Sequence, residues 1–108
     1  MEKKSGYLIW ITGFSGSGKT RISKKIYKLI KKKLGPTILI NGDDLRKIFK
    51  LNDYSKTGRI KNSEKFTKLA KFITDQNINL VFAVVGMMNK PREWNRKNIK
   101  NYIEIFID

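Results

Sequence analysis

The sequence predicts an α/β fold: a parallel sheet of four strands flanked by helices in three layers. Three observations carry that prediction. Short apolar, β-prone runs alternate with longer stretches of helical periodicity, the order that builds parallel β-α-β units. The run from Asn79 to Val85 is apolar at nearly every position, as a central parallel strand covered on both faces must be. The first run, Tyr7 to Thr12, opens directly into a glycine-rich octet and then into a helical pattern.

Taken in order, Tyr7 to Thr12 is the first strand. Beyond the octet, Ile22, Ile26, Leu29 and Ile30 recur at i, i+4, i+7 and i+8, predicting an amphipathic helix from about Gly18 to Leu34. Gly35-Pro36 ends it, a glycine cap followed by a breaker. Thr37 to Ile40 is a short buried strand. Asn41-Gly42-Asp43-Asp44 reads as a turn and helix N-cap, with Leu45, Ile48 and Phe49 as the apolar face of a short helix. Lys50 to Gly58 is a polar loop carrying Tyr54. A longer helix covers roughly Arg59 to Gln76, with Phe66, Leu69, Ala70 and Ile73 on one face. Met87 to Lys90 is a loop, and Pro91 suits the first turn of a helix ending near Asn101. Tyr102 to Ile107 is the fourth strand. Trp10 belongs to the core, whereas Trp94, with few apolar neighbours on its helix, is a candidate interface residue. The chain reads as one domain, residues 1–108, and a hydrophobic strand is an odd place for such a domain to stop. A lid and a last strand are expected to be missing at its C-terminus.

The octet Gly13-Phe14-Ser15-Gly16-Ser17-Gly18-Lys19-Thr20 fits G-x-x-x-x-G-K-[ST], the phosphate-binding P-loop, without a mismatch. Successive backbone N–H groups in a tight loop make a concave anion cradle. Glycines let that loop adopt positive φ and bring backbone close to phosphate oxygens. Lys19 supplies a mobile charge for the β- and γ-phosphates, and the Thr20 hydroxyl is a Mg²⁺ ligand. Strand, loop and helix N-terminus is the context the motif requires, and the helix end adds to the anion site. The ATP-binding set is therefore Gly13, Ser15, Gly16, Ser17, Gly18, Lys19 and Thr20, and the fold class sharpens to a three-layer P-loop NTPase fold.

Composition removes several alternatives. With 108 residues the chain holds at most one core. It has no cysteine, which excludes disulfides and cysteine-based zinc sites, and no histidine, so any general base is a carboxylate or water. The N-terminus has no long apolar core of a signal peptide, and no apolar run approaches the roughly 20 residues of a membrane span. A soluble cytoplasmic protein is expected. Lysine plus arginine number 24 against 9 acidic residues, a formal net charge of +15. That balance suits an anionic partner, but Lys24, Lys25, Lys28, Lys31, Lys32 and Lys33 spread along a helix face without interleaved aromatics. Solvated charged faces are the preferred reading, and nucleic acid is not the expected partner.

Three further pieces line up after the octet: Asn41-Gly42-Asp43-Asp44-Leu45-Arg46, then Tyr54-Ser55-x-x-x-Arg59-x-x-Asn62, then Lys68-Leu69-Ala70-Lys71-Phe72. Ligands of open α/β sheets bind beyond the carboxyl ends of the strands, where Asp43 follows the second strand. Asp43 could face the γ-phosphate and Mg²⁺, accept a proton from an attacking hydroxyl, or simply cap a helix. Arg46, Arg59 and Asn62 could present cations and an amide to one acidic ligand, with Tyr54 stacking on a base.

With these pieces in order, the chain resembles the adenylylsulfate kinase family, P-loop enzymes that transfer the γ-phosphoryl of ATP to the 3′-hydroxyl of adenylyl sulfate. The family pattern is G-x-S-G-x-G-K-[ST], D-G-D-[ND]-x-R, F-S-x-x-x-R-x-x-N and an A-K-[LF] helix. Gly13 to Thr20, Gly42, Asp43, Arg46, Ser55, Arg59, Asn62 and Ala70-Lys71-Phe72 fall on it, over nearly the whole chain. The resemblance implies a kinase of sulfate assimilation using ATP and Mg²⁺. It makes Lys19 and Asp43 catalytic, Thr20 and Asp43 metal ligands, and Arg46, Arg59 and Asn62 acceptor-nucleotide ligands. Tyr54 takes the stacking place of the family phenylalanine. A homodimer is the assembly usual in that family.

The departures bear on the acceptor. Asn41 replaces the first Asp of D-G-D. Ser63-Glu64 stands where the family usually has Ile-Arg, turning a substrate-facing cation into an anion. Met87-Met88-Asn89 stands where Ser-Pro-Tyr is common. The alternative acceptor is therefore another nucleoside diphosphate derivative, such as a cytidine nucleotide of surface-polysaccharide modification. A nucleotide-binding module without kinase activity is a further alternative. A GTPase is disfavoured because Asn89-Lys90-Pro91-Arg92 lacks the Asp of a guanine-selective motif.

Overall fold

The computed structural model describes residues 4–14, 16–85 and 89–107. Within them the order is β1 (Tyr7–Gly13), α1 (Lys19–Leu34), β2 (Thr37–Asn41), α2 (Gly42–Ile48), α3 (Lys56–Thr74), β3 (Asn79–Val85), α4 (Asn89–Asn98) and β4 (Asn101–Ile107). The strands form one parallel sheet in the order β2-β3-β1-β4. The two most apolar strands, β1 and β3, occupy the centre, where both faces are covered.

Strand alternation builds two cores from one sheet. The register pairs Leu8 with Leu80 and Trp10 with Phe82, and these four join Phe66, Ala70 and Ile99 on one face. The Trp10 ring lies 5.1 Å from that of Phe82, which in turn lies 5.4 Å from Phe66. Ile9, Ile11 and Val81 point the other way and meet Ile22, Ile26, Tyr27 and Ile30 of α1. The sheet thus has α1 on one face and α3 with α4 on the other, the three layers of the P-loop NTPase fold.

Several boundaries differ from the sequence reading, each for a local reason. Asn41 both ends β2 and caps α2, its side-chain oxygen accepting the Asp43 N–H at 3.0 Å. Asp43 is therefore not the cap. Of the expected apolar face of α2 only Leu45 reaches the core, while Ile48 and Phe49 are exposed. The helix is too short to lay a second turn on the sheet, and Lys50 turns the chain away with φ 53°. α3 begins at Lys56, earlier than expected, because Ser55 caps it through the Gly58 N–H at 3.1 Å. α1 ends as predicted at Gly35, with Lys31, Lys32 and Lys33 in the last turn, where the helix C-terminus favours cations.

β4 is clasped to α4 by a charged network. Glu104 accepts hydrogen bonds from Arg96 at 2.8 Å, Arg92 at 3.2 Å and the Tyr102 hydroxyl at 2.9 Å. Partial burial pushes the Glu104 carboxyl up, but the bonds from Arg96, Arg92 and Tyr102 outweigh it and hold the group below its ordinary value. Trp94, expected at an interface, packs its inner part against the core beneath α4. Among the described residues no helix is long and apolar enough to cross a membrane.

Candidate active site

The tips of β1, β2 and β3 open at the same edge of the sheet, and there two cavities adjoin. The first, about 160 Å³, is lined by Phe14, Gly16, Gly18, Lys19, Thr20, Asn41, Asp43 and Val85. The second, about 60 Å³, is lined by Asp43, Arg46, Tyr54, Arg59 and Val85. Asp43 and Val85 belong to both, so Asp43 stands on the wall the two cavities share.

The first cavity is built by the octet. Gly16 and Gly18 take φ of 84° and 85°, which a side-chain-bearing residue adopts only under strain; nothing lies within 4 Å of an added Cβ at either, so conformation and not space demands glycine. The Ser17 N–H donates to the Phe14 carbonyl at 3.1 Å and closes the turn. The Ser17 hydroxyl is buried without a hydrogen-bond partner among the described residues. Gly13 ends β1, and Ser15 lies outside the described residues. The N–H groups of Lys19 and Thr20, in the first turn of α1, have no intrahelical acceptor and are free for an anion. Lys19 is only 7% exposed. Burial holds its ammonium below the ordinary lysine value, against the opposing pull of the Asp43 carboxylate. A cation kept partly desolvated gains most from an arriving polyanion.

The second cavity is assembled from three segments. Arg46 projects from α2 with its guanidinium 5.4 Å from the centre of the Tyr54 ring, a cation–π stack. Its Nη1 is buried and has no partner among the described residues, a donor with nothing to bind. Tyr54 is held by two consecutive local turns: Asp53 Oδ1 accepts the Ser55 N–H at 3.0 Å, and Ser55 Oγ accepts that of Gly58. Bonds from the Ser55 hydroxyl and then its N–H hold the Asp53 carboxyl below its ordinary value. The same turns start α3, so Arg59 emerges beside Tyr54.

The structure brings together Gly16, Gly18, Lys19, Thr20 and Asp43 on one side, and Asp43, Arg46, Tyr54 and Arg59 on the other. It does not bring in Asn62, which is buried and does not line the second cavity; its Nδ2 has no partner among the described residues. Glu64 faces elsewhere too, lining a groove between α3 and α4 with Thr67, Lys68, Lys90, Pro91 and Trp94. The reason is helical geometry: Glu64 lies more than one turn beyond Arg59 and on another face of α3. Met87 and Met88 lie outside the described residues. Two lining residues escaped the sequence reading, Phe14 and Val85; Asn41, read there as a departure bearing on the acceptor, lines the phosphate cavity instead. Val85 is visible only once β3 is known to lie between β1 and β2, which puts its tip between the two motifs. Phe14 occupies a variable position of the octet and meets Phe106 edge-on at 6.3 Å.

The geometry accords with comparison to known proteins. The adenylylsulphate kinase profile matches residues 5–108. The chain belongs to the adenylylsulphate kinase family. A cytidine diphosphoramidate kinase of Campylobacter jejuni subsp. jejuni serotype O:2 is 41% identical over 106 residues, covering 98% of this chain and 62% of that protein. An adenylyl-sulfate kinase of Pseudomonas aeruginosa is 28% identical over 111 residues, covering 100% of this chain and 57% of that protein. The chain therefore spans about 60% of the length of these relatives. The Mycobacterium tuberculosis APS kinase solved with AMPPNP and APS superposes with a TM-score of 0.77 at 24% identity, over 97% of this chain and 64% of that one. At that identity the likeness speaks for the P-loop NTPase fold alone.

Proposed function

We propose that this chain carries the donor- and acceptor-binding residues of an ATP-dependent kinase that phosphorylates a hydroxyl of a nucleoside diphosphate derivative, a cytidine derivative in preference to adenylyl sulfate. The observation that carries the kinase reading is the shared wall: Asp43 stands between a polyphosphate cradle and a second, arginine-lined cavity. Phosphoryl transfer needs donor and acceptor positioned in line and charge neutralised, with little covalent work from the protein. In this reading Gly13 to Thr20 hold ATP in the first cavity, and Lys19 neutralises charge on the β- and γ-phosphates. Arg46 and Arg59 hold the acceptor's anionic groups, and Tyr54 stacks on its base. Asp43 orients the acceptor hydroxyl and takes its proton as the oxygen attacks the γ-phosphorus, while the bond to the bridging oxygen breaks and ADP leaves. Asn62, buried and absent from the lining of the second cavity, is left out of the acceptor set.

The Thr20 hydroxyl and Asp43 carboxylate are hard oxygen donors on one cavity wall, the donor type that suits Mg²⁺. When bound there Mg²⁺ supplies charge neutralisation at the phosphate oxygens.

The choice of acceptor is favoured by identity: 41% to a kinase named for cytidine diphosphoramidate against 28% to one named for adenylyl sulfate. The test is to incubate the protein with ATP and Mg²⁺ and either cytidine diphosphoramidate or adenylyl sulfate, then weigh the nucleotides by mass spectrometry. A phosphorylated product from the cytidine compound alone is expected. Product from adenylyl sulfate alone would reverse the acceptor, and ATP binding without product from either would reduce the chain to a nucleotide-binding module.

A further inference from the structure

Asn41 sits at the end of β2, where the family pattern has Asp, and it lines the phosphate cavity alongside Lys19, Thr20 and Asp43 as well as a neighbouring cavity with Thr20, Lys24 and Asp44. Its orientation is settled by one bond. Oδ1 accepts the backbone N–H of Asp43 at 3.0 Å, and only the oxygen of an amide can accept. Nδ2 must then point away from that N–H, and it has no partner among the described residues. Capping does not explain why the residue is an amide, because Asp caps a helix as well as Asn does. What separates the two is chemistry toward the cavity. Asp would add a second carboxylate to that of Asp43 in the cavity where polyphosphate binds. Asn adds no charge, and it brings a hydrogen-bond donor to a residue that lines that cavity.

We propose that Asn41 is a binding residue for the transferred phosphoryl group, its Nδ2 donating a hydrogen bond to a non-bridging oxygen of the ATP γ-phosphate. The assignment rests on the reading that the first cavity holds ATP, and it is independent of the acceptor. It makes Asn41 do two jobs with its two polar atoms: Oδ1 fixes the backbone that carries Asp43, and Nδ2 holds the group that Asp43 must face. A hydrogen bond to a charged oxygen is stronger than one between neutral groups, so its loss is measurable in binding.

The test compares AMPPNP with ADP, which lacks the γ-group, by calorimetric titration of wild type, Asn41→Asp and Asn41→Ala in Mg²⁺-free buffer. Asn41→Asp keeps the cap, so its melting temperature stays at the wild-type value. AMPPNP should bind it about tenfold more weakly, while ADP affinity changes by less than about twofold. Asn41→Ala loses the cap and melts earlier, and it too should lose the preference for AMPPNP over ADP, now without any added charge. Equal loss of AMPPNP and ADP in Asn41→Asp would overturn the assignment. So would a normal AMPPNP preference in Asn41→Ala, which would reduce the Asp effect to repulsion. Neither titration contains an acceptor, so an error in the acceptor leaves these results readable; a wild-type protein that binds neither nucleotide overturns both proposals.

Discussion

The two halves of the site are made in different ways. The phosphate cradle comes from one contiguous octet whose shape is decided by its own backbone: positive φ at Gly16 and Gly18, a turn closed by the Ser17 N–H, and the first N–H groups of α1. The second cavity takes Asp43 and Arg46 from α2, Tyr54 from the connecting turn, and Arg59 from α3. Local turns set Tyr54 beside Arg59, but it is the packing of α2 and α3 on one face of the sheet that brings Asp43 and Arg46 to them. A contiguous site resists change because its geometry travels with its sequence. An assembled one shifts whenever a helix rotates or starts a turn earlier, and that is where variation in acceptor would be expected within a common donor chemistry.

Mutations that separate the halves test this division. The largest effect is expected from Lys19→Ala, which removes the buried cation of the cradle and should lower phosphoryl transfer about 10³-fold. Retained turnover in a coupled ADP-release assay would break the assignment of that half. Asp43→Asn, on the shared wall, should lower kcat about 10²-fold while nucleotide affinity by calorimetry stays near wild type. If both fall together, Asp43 serves the cradle only and the wall is not shared.

Glu104→Gln is the control that touches neither half, since Glu104 clasps α4 to β4. Replacing the carboxylate weakens bonds from Arg92 and Arg96 and should cost about 2 kcal/mol of stability in a denaturant titration. The pH dependence has a definite sign. Because the folded carboxyl lies below its ordinary value, its stabilisation is present above that value and lost as pH falls through the depressed one. Wild type should therefore lose stability on acidification below about pH 4 by more than Glu104→Gln does. Matching acid profiles would show that the clasp contributes nothing measurable.

The smallest effects belong to the second cavity, where each residue is one of several contacts. Arg59→Ala and Tyr54→Ala should each raise KM for the acceptor about tenfold and leave KM for ATP unchanged. A rise in KM for ATP of the same size would mean the two cavities are not separate subsites.

These differences follow the range of the interactions involved. Strand and helix order, the cradle, the Gly35 helix end and the burial of Trp10 were legible in the chain, because periodicity, glycine conformation and apolar content act over a few residues. The same local physics could have revealed the Ser55 cap that moves the start of α3, had the Ser55-to-Gly58 spacing been weighed against the polar look of the segment. The sheet order β2-β3-β1-β4 was not local, and it alone puts Val85 between the two motifs. Helix rotation, settled by which face meets the core, turned Asn62 inward and Glu64 toward α4 although both lie at motif spacing. Asn41 shows the boundary most clearly: its residue type was a visible departure, but only the bond from the Asp43 N–H fixes which of its two polar atoms is engaged and which is left over. Motif residues next to one another in the chain carry their geometry in the backbone, whereas those on separate elements acquire theirs only when the core packs.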